Sequence, residues 1–327
     1  MRTAVIGAGA LGARAARQLL STPGVEEVLV YDLDPRRTEW VVASLGSGAS
    51  ALHDLDPLPH AAAAVLATPA QDQPELARRL LLHGMHVVGT ADSIEAVNGL
   101  LALDDLALER RRGLVVGAGL SPGLGCLLAR HAANRFDSVD EIHVARTGTG
   151  GPACARQHHA ALGGDSLDWR DGAWGRRPGG SGRQLVWFPD PLGARDCYRA
   201  ALPEAALLQR SFASAARITA RMSATRRDRL TSRLPMLRRP HAEGGPGAVR
   251  VEVWGRYGET RDVVVYGAMD SPGVAAGAVA ALSATWLANG RLDRFGAYGL
   301  AALAEPVPLL LELEARGVRA AAFVGAA

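Results

Sequence analysis

The sequence predicts an α/β protein: a doubly wound parallel sheet of the Rossmann kind, an inserted α+β domain, and a closing segment that returns to the first domain. Three observations lead there. Short β-type runs alternate with helical ones over about the first 120 residues. The first run, TAVI, passes through the glycine turn GAGALG straight into a helix. Near Phe136 the alternation gives way to β-rich and Gly-rich sequence, which marks a change of domain.

In chain order, strands are expected at Thr3–Ile6, Val28–Asp32, Ala63–Ala67, His86–Thr90 and Leu114–Gly117, with a faint one between Ser50 and Leu58. Helices are expected near Leu11–Leu20, Arg36–Leu45, Gln73–His83 and Ile94–Arg111, where apolar residues recur at helical spacing. After Phe136, Val139–Arg146 reads as a strand, and Thr147–Gly182 as a long Gly-rich tract of turns and loop. Gln184–Phe188 and Arg217–Ser223 read as strands, and Val249–Gly258 with Arg261–Gly267 as a hairpin turning at Gly258–Glu259. The run DSPGVAAGAVAALSATWLANG reads as a helix capped by Asp270 or Ser271, with Pro272 in its first turn and Gly290 as its stop. The expected domains are therefore 1–136 for a dinucleotide, 137–270 for substrate and dimerisation, and 271–327 packing back on the first.

Composition narrows the function classes. The chain has 327 residues, 48% of them hydrophobic and 21% charged, which excludes a disordered protein. No apolar run reaches the roughly 18–20 residues of a membrane span, and the N-terminus enters a strand directly, so neither a membrane role nor a signal peptide is expected. Three cysteines, Cys126, Cys154 and Cys197, are scattered and lack metal spacing. They read as reduced thiols in the cytoplasm, and no metal is expected. All 36 basic residues are arginine. Chemistry that needs a lysine is thus closed to this chain. A net charge of +3 gives only weak grounds for a polyanionic partner and nucleic acid is not expected; the arginines between Arg210 and Arg239 read as a solvated face, with a phosphate or carboxylate recognition surface as the alternative.

The stretch TAVIGAGALGARAARQLL carries Gly7, Gly9 and Gly12 as GxGxxG between a strand and a helix. Such glycines permit a tight turn, close approach of the backbone to a pyrophosphate, and close helix–strand packing. Ala10 and Leu11 then open the helix whose N-terminus faces the phosphates. Asp32, at the end of the next strand, is placed to take the ribose hydroxyls of NAD. Its charge opposes a 2′-phosphate, although Arg36 and Arg37 leave NADP open. Ala67, Thr68 and Pro69 and then Thr90 lie at the following strand ends and complete the expected cofactor set. Asp92 follows as a polar group or a helix cap.

The turn Gly119–Leu120–Ser121–Pro122–Gly123 in GAGLSPGLGCLLA, and the closing GAYGLAALAEPVPLLLELEARGV, resemble the saccharopine dehydrogenase-like family of NAD(P)-dependent reductases, which includes carboxynorspermidine dehydrogenase. The resemblance covers roughly residues 1–135 and 270–327 and fails across Thr147–Arg239. It implies hydride transfer at a carbon bearing nitrogen, in a cytosolic homodimer. The turn Ser121–Pro122–Gly123 would then border the nicotinamide, with Ser121 as a hydrogen-bond donor.

In RTGTGGPACARQHHAALGGDS, His158 and His159 are the candidate proton donors, and Arg146, Arg156 and Gln157 the candidate grip on an anionic substrate. Tyr198, in WFPDPLGARDCYRA, is a further candidate for the substrate site. Two other readings stay open. Cys126, near the start of a helix, fits the thioester-forming cysteine of a semialdehyde dehydrogenase. A non-catalytic sensor of the NADH/NAD ratio would use the same fold.

Overall fold

The opening strand is fixed by its neighbours on both sides. In β1 (Arg2–Ile6) the last four residues, TAVI, are fully buried, which matches a central strand covered on both faces. The structure, a computed structural model, describes residues 1–236, 239–292 and 294–323. The chain divides into two units: 1–91, 95–119 and 273–298 form the first, and 92–94, 120–272 and 299 onward form the second.

The first unit continues through α1 (Ala10–Leu20), β2 (Glu27–Tyr31), α2 (Pro35–Leu45), β3 (Ala49–Ala51), β4 (Ala63–Leu66), α3 (Gln73–Leu82), β5 (His86–Gly89), α4 (Ile94–Leu101), α5 (Asp104–Glu109) and β6 (Gly113–Val116). With a late strand, Gly296–Tyr298, beside β6, they form a seven-stranded parallel sheet. β2 and β4 lie on either side of β1, so the strand order reverses there, at the point where α/β sheets bind ligands. The expected strands are present. The faint one comes slightly early and holds only three residues, paired to β2. The single helix expected over Ile94–Arg111 is two. The first closes with Leu103 N–H on the Leu100 carbonyl, and Asp104 and Asp105 open the second, where carboxylates suit a helix N-terminus.

The second unit holds α6 (Leu124–Ala133), β7 (Ser138–Thr147), α7 (Pro152–Gly163), β8 (Asp165–Arg170), β9 (Ala173–Pro178), β10 (Gln184–Trp187), β11 (Ala194–Arg199), α8 (Glu204–Ser211), β12 (Arg217–Ser223), α9 (Arg226–Thr231), β13 (Gly247–Tyr257) and β14 (Thr260–Asp270). The tract expected to be loop, Thr147–Gly182, is instead a helix and a hairpin. Its glycines gather at the ends of these elements, while ACARQHHAAL between them contains none, and Pro152 starts the helix. Asp171 and Gly172, with φ of 50° and 84°, turn the β8–β9 hairpin, and Trp169 packs edge-on against Trp174 across it. β13 and β14 pair from Gly247–Asp270 to Tyr257–Thr260, so the hairpin turns where the sequence places it. The sheet is mostly antiparallel, but β12 and β7 run parallel.

The chain then returns to the first unit as α10 (Pro272–Ala288), whose run of Ala, Gly, Val and Leu suits a helix buried all round. A Cβ on Gly277 would come within 2.7 Å of Arg14 Cβ and 2.9 Å of the Ala15 nitrogen, so α10 lies directly on the α1 backbone. β15 (Gly296–Tyr298) closes the parallel sheet. The closing segment does not stay there as expected: α11 (Val307–Ala315) and β16 (Ala320–Ala322) belong to the second unit, where β16 pairs with β14. The pairing edge of β14 explains this correction. Residues 324–327 of that segment, and 237–238 of the arginine-rich stretch, lie outside the described residues. Among the described residues no helix is long and apolar enough to cross a membrane.

Candidate active site

The dinucleotide loop is held by backbone geometry that only glycine allows. Gly7 has φ of 105°, and a Cβ there would lie 2.5 Å from the Ala67 carbonyl oxygen. A Cβ on Gly12 would lie within 1.7 Å of the Gly7 oxygen. Gly9 differs: a Cβ there meets nothing among the described residues within 4 Å, so the open space before it suits a bound group that approaches the backbone. The first turn of α1, beginning Ala10–Leu11, carries no acidic residue to oppose a phosphate.

Asp32 turns back to the loop. One oxygen accepts the Ala8 N–H at 2.7 Å and the other the Asp34 N–H at 2.9 Å, which fixes the carboxylate at the end of β2. Arg36 and Arg37 are exposed, and Arg37 pairs with Asp34 at 3.7 Å. At the end of β4, after Ala67, the Thr68 hydroxyl is buried without a partner among the described residues, an orphan that a ribose or amide group would satisfy. Pro69 begins a short 3₁₀ turn, and the Thr90 hydroxyl donates to the Leu66 carbonyl.

Gln73, which sequence reasoning missed, ties these strand ends together. Its side chain is buried, donates to the Thr68 carbonyl at 2.9 Å, and accepts the Ala91 N–H at 3.0 Å. An amide at the first position of an otherwise amphipathic helix, α3, was the available signal.

The second unit assembles a separate polar cluster. Cys154 and His158 stand four residues apart on α7, hence on one face, and meet Asp92 from the loop after β5. Cys154 Sγ is 3.5 Å from His158 Nε2 and 3.8 Å from Asp92 Oδ2, and His158 Nε2 is 3.5 Å from the same Asp92 oxygen. Burial and the positive Arg146 oppose charge on His158, but Cys154 and Asp92 outweigh them and push its pKa up to about 9. Burial alone would raise the Asp92 carboxyl, yet His158 and Arg146 hold it below its ordinary value. Asp92 thus faces the side chains of α7.

Beside this cluster, Arg146 on β7 is buried and paired to the equally buried Glu204 at 3.4 Å. It donates through Nη1 to the Ser121 carbonyl, and the Ser121 hydroxyl donates to Glu204 at 2.7 Å. Among the described residues, Nε and Nη2 of Arg146 have no partner. A guanidinium left half-satisfied in the interior points to an anionic ligand that would complete it.

The remaining expectations divide. His159 is not brought into the cluster with His158. Adjacent positions on a helix diverge by about 100°, and its Nε2 instead meets the Leu234 carbonyl at 2.8 Å. Arg156 is exposed on α7, Gln157 is half-buried, and neither joins the cluster. Tyr198 is core: it is buried, and the Arg229 guanidinium stacks 4.2 Å from its ring centroid. Pro122 and Gly123 are buried at the start of α6, in the second unit. Cys126 is wholly buried, and that burial pushes its thiol up to about 12, so the thioester reading loses its nucleophile.

These features define an NAD(P)-dependent oxidoreductase of two units, one of them a Rossmann domain. Residues 1–89 match a family model, Gfo/Idh/MocA, described as an oxidoreductase family with an NAD-binding Rossmann fold. The whole chain has the fold of an apo saccharopine dehydrogenase (L-Glu forming) from Saccharomyces cerevisiae, with a TM-score of 0.73 at 12% identity over 99% of this chain and 100% of that one. It is also similar to C. glutamicum DAP dehydrogenase in complex with DAP, with a TM-score of 0.52 at 14% identity over 95% and 98% of the two chains. An engineered D-amino acid dehydrogenase bound to NADP+ gives a TM-score of 0.52 at 14% identity over 95% of each.

Proposed function

We propose that this oxidoreductase is a saccharopine dehydrogenase-like, NAD-linked enzyme acting at an imine or secondary-amine carbon of a small anionic, amino-acid-derived substrate. The observation that carries the reading is Arg146, buried with two unpartnered nitrogens beside the Asp92–His158–Cys154 cluster. The amino-acid substrates named for the saccharopine, DAP and D-amino acid dehydrogenases agree with it.

The cofactor, when bound, supplies or accepts the hydride. Asp32, held at the end of β2, would take its ribose, and the space at Gly9 would admit its pyrophosphate. Arg146 binds a substrate carboxylate through Nε and Nη2, while Glu204 holds the guanidinium in place. His158, protonated at neutral pH, gives its Nε2 proton to the substrate nitrogen in reduction and takes it back in oxidation. Asp92 and Cys154 stabilise that imidazolium. A sensor that only bound NADH would leave this cluster without a task. The proposed setting is the cytoplasm. The proposed assembly is a homodimer, consistent with Leu185 and Trp187 lying exposed on strand β10.

The test is NADH oxidation with pairs of 2-oxo acids and amino acids that condense to imines, alongside 2-hydroxy and sugar substrates. Turnover confined to the imine-forming pairs supports the reading. Turnover on sugars or hydroxy acids alone would replace it.

A further inference from the structure

We infer that Asp92, Cys154 and His158 form a binding site for a divalent ion of the zinc class. The shape of the cluster carries it. Three single atoms, Oδ2, Sγ and Nε2, form a closed triangle with edges of 3.5, 3.5 and 3.8 Å. Zinc bonds of about 2.3 Å to sulfur, 2.0–2.1 Å to imidazole and 2.0–2.2 Å to carboxylate, arranged tetrahedrally, separate the ligand atoms by about 3.3–3.7 Å. The observed edges fall at or just beyond that range.

Hydrogen bonding accounts for the two sulfur edges but not for the third. A charge-assisted N–H···O bond closes to about 2.7–2.9 Å, whereas Asp92 and His158 stand 3.5 Å apart. Nε2 carries at most one proton, yet it faces both the sulfur and the carboxylate. Three atoms converging on one point is the arrangement a cation organises.

The donor set selects the ion. Thiolate and imidazole suit zinc and other borderline-soft metals and disfavour magnesium and calcium. Two negative ligands and one neutral ligand balance a 2+ charge, so the loaded cluster is neutral in a mostly buried place. Spacing by four residues sets Cys154 and His158 on one helix face, as paired helical ligands require. Three protein ligands leave a fourth position open, the pattern of a catalytic rather than a structural ion. His158 and Asp92 keep 10% and 18% side-chain exposure, which leaves that position accessible.

Metal ligands bind in their deprotonated forms, so affinity falls as pH falls. The ion would then take over from the imidazolium as the electrophile at the substrate heteroatom. That consequence rests on the proposed hydride chemistry, but the site does not.

The test is made on full-length protein freed of metal by chelation and then titrated with cobalt(II), with zinc uptake measured after gel filtration. The expected result is one equivalent per chain, with a thiolate-to-cobalt charge-transfer band and the intense visible bands of a tetrahedral ion. Cys154→Ser should abolish the charge-transfer band. Asp92→Asn should weaken binding by at least about a hundredfold, more than is usual for an outer-shell partner. Cys126→Ser and Cys197→Ser should leave the spectrum unchanged. Absence of uptake, or a charge-transfer band that survives Cys154→Ser, overturns the inference. Because the readout is the metal, its failure is distinct from failure on imine substrates.

Discussion

His158 holds its proton because of what faces it. Its pKa is raised from 6.5 to about 9, so the protonated form prevails at neutral pH and is lost as pH rises through 9. Any stability drawn from the charged form follows the same sign: complete below about 6.5 and lost toward 9. In chelated protein, reductive turnover should therefore be flat near neutrality and fall above about pH 9. Cys154→Ala should move that limb to lower pH, and a limb unmoved by the change would separate Cys154 from the proton. His158→Gln should lower kcat by about 10²–10⁴, the usual worth of a positioned acid, while NADH affinity stays the same. For Arg146→Gln, kcat/KM on an anionic substrate should fall at least about thirtyfold, equivalent to about 2 kcal/mol. An equal loss on an uncharged analogue would contradict the carboxylate clamp.

At the scale of elements, close packing and strand-end bonds position the cofactor loop. Gly277→Leu should force α10 off α1 and destabilise the protein by about 1–3 kcal/mol, the usual cost of overpacking, seen as a lower denaturation midpoint. Gln73→Leu should leave the Thr68 carbonyl and Ala91 N–H unpaired, at about 1–3 kcal/mol, and weaken dinucleotide binding as well. Stability loss with unchanged NADH affinity would reduce Gln73 to a structural tie. The glycine loop and its sheet were legible because the GxGxxG spacing, the apolar strands and Asp32 are local in sequence. α7 was hidden because glycines crowd its ends, and those punctuation marks read as loop when no partner is in view. The site was hidden for a different reason: Asp92 and Cys154 are 62 residues apart, and only folding brings a polar residue after β5 to the face of α7. His158 was visible as a candidate, but its partners were not. Tyr198 and His159 show the converse, since chemistry-bearing side chains in a suggestive stretch were spent on packing and a backbone carbonyl.

At the scale of the whole molecule, the sequence correctly divides labour between a parallel dinucleotide sheet and a largely antiparallel second sheet, although the chain's end joins the latter. The absence of lysine throughout leaves arginine and histidine to provide every cationic role, which fits a buried Arg146 and a protonated His158. Both sheets serve the proposed chemistry only if the first unit binds NAD(H) through Asp32. Calorimetric titration of the purified protein with NADH and NADPH, in wild type and Asp32→Ala, tests it most directly. The expected result is 1:1 binding of NADH, NADPH weaker by at least about tenfold, or 1.4 kcal/mol, and loss of that preference in Asp32→Ala. Binding of neither dinucleotide, or a preference that survives Asp32→Ala, would contradict it.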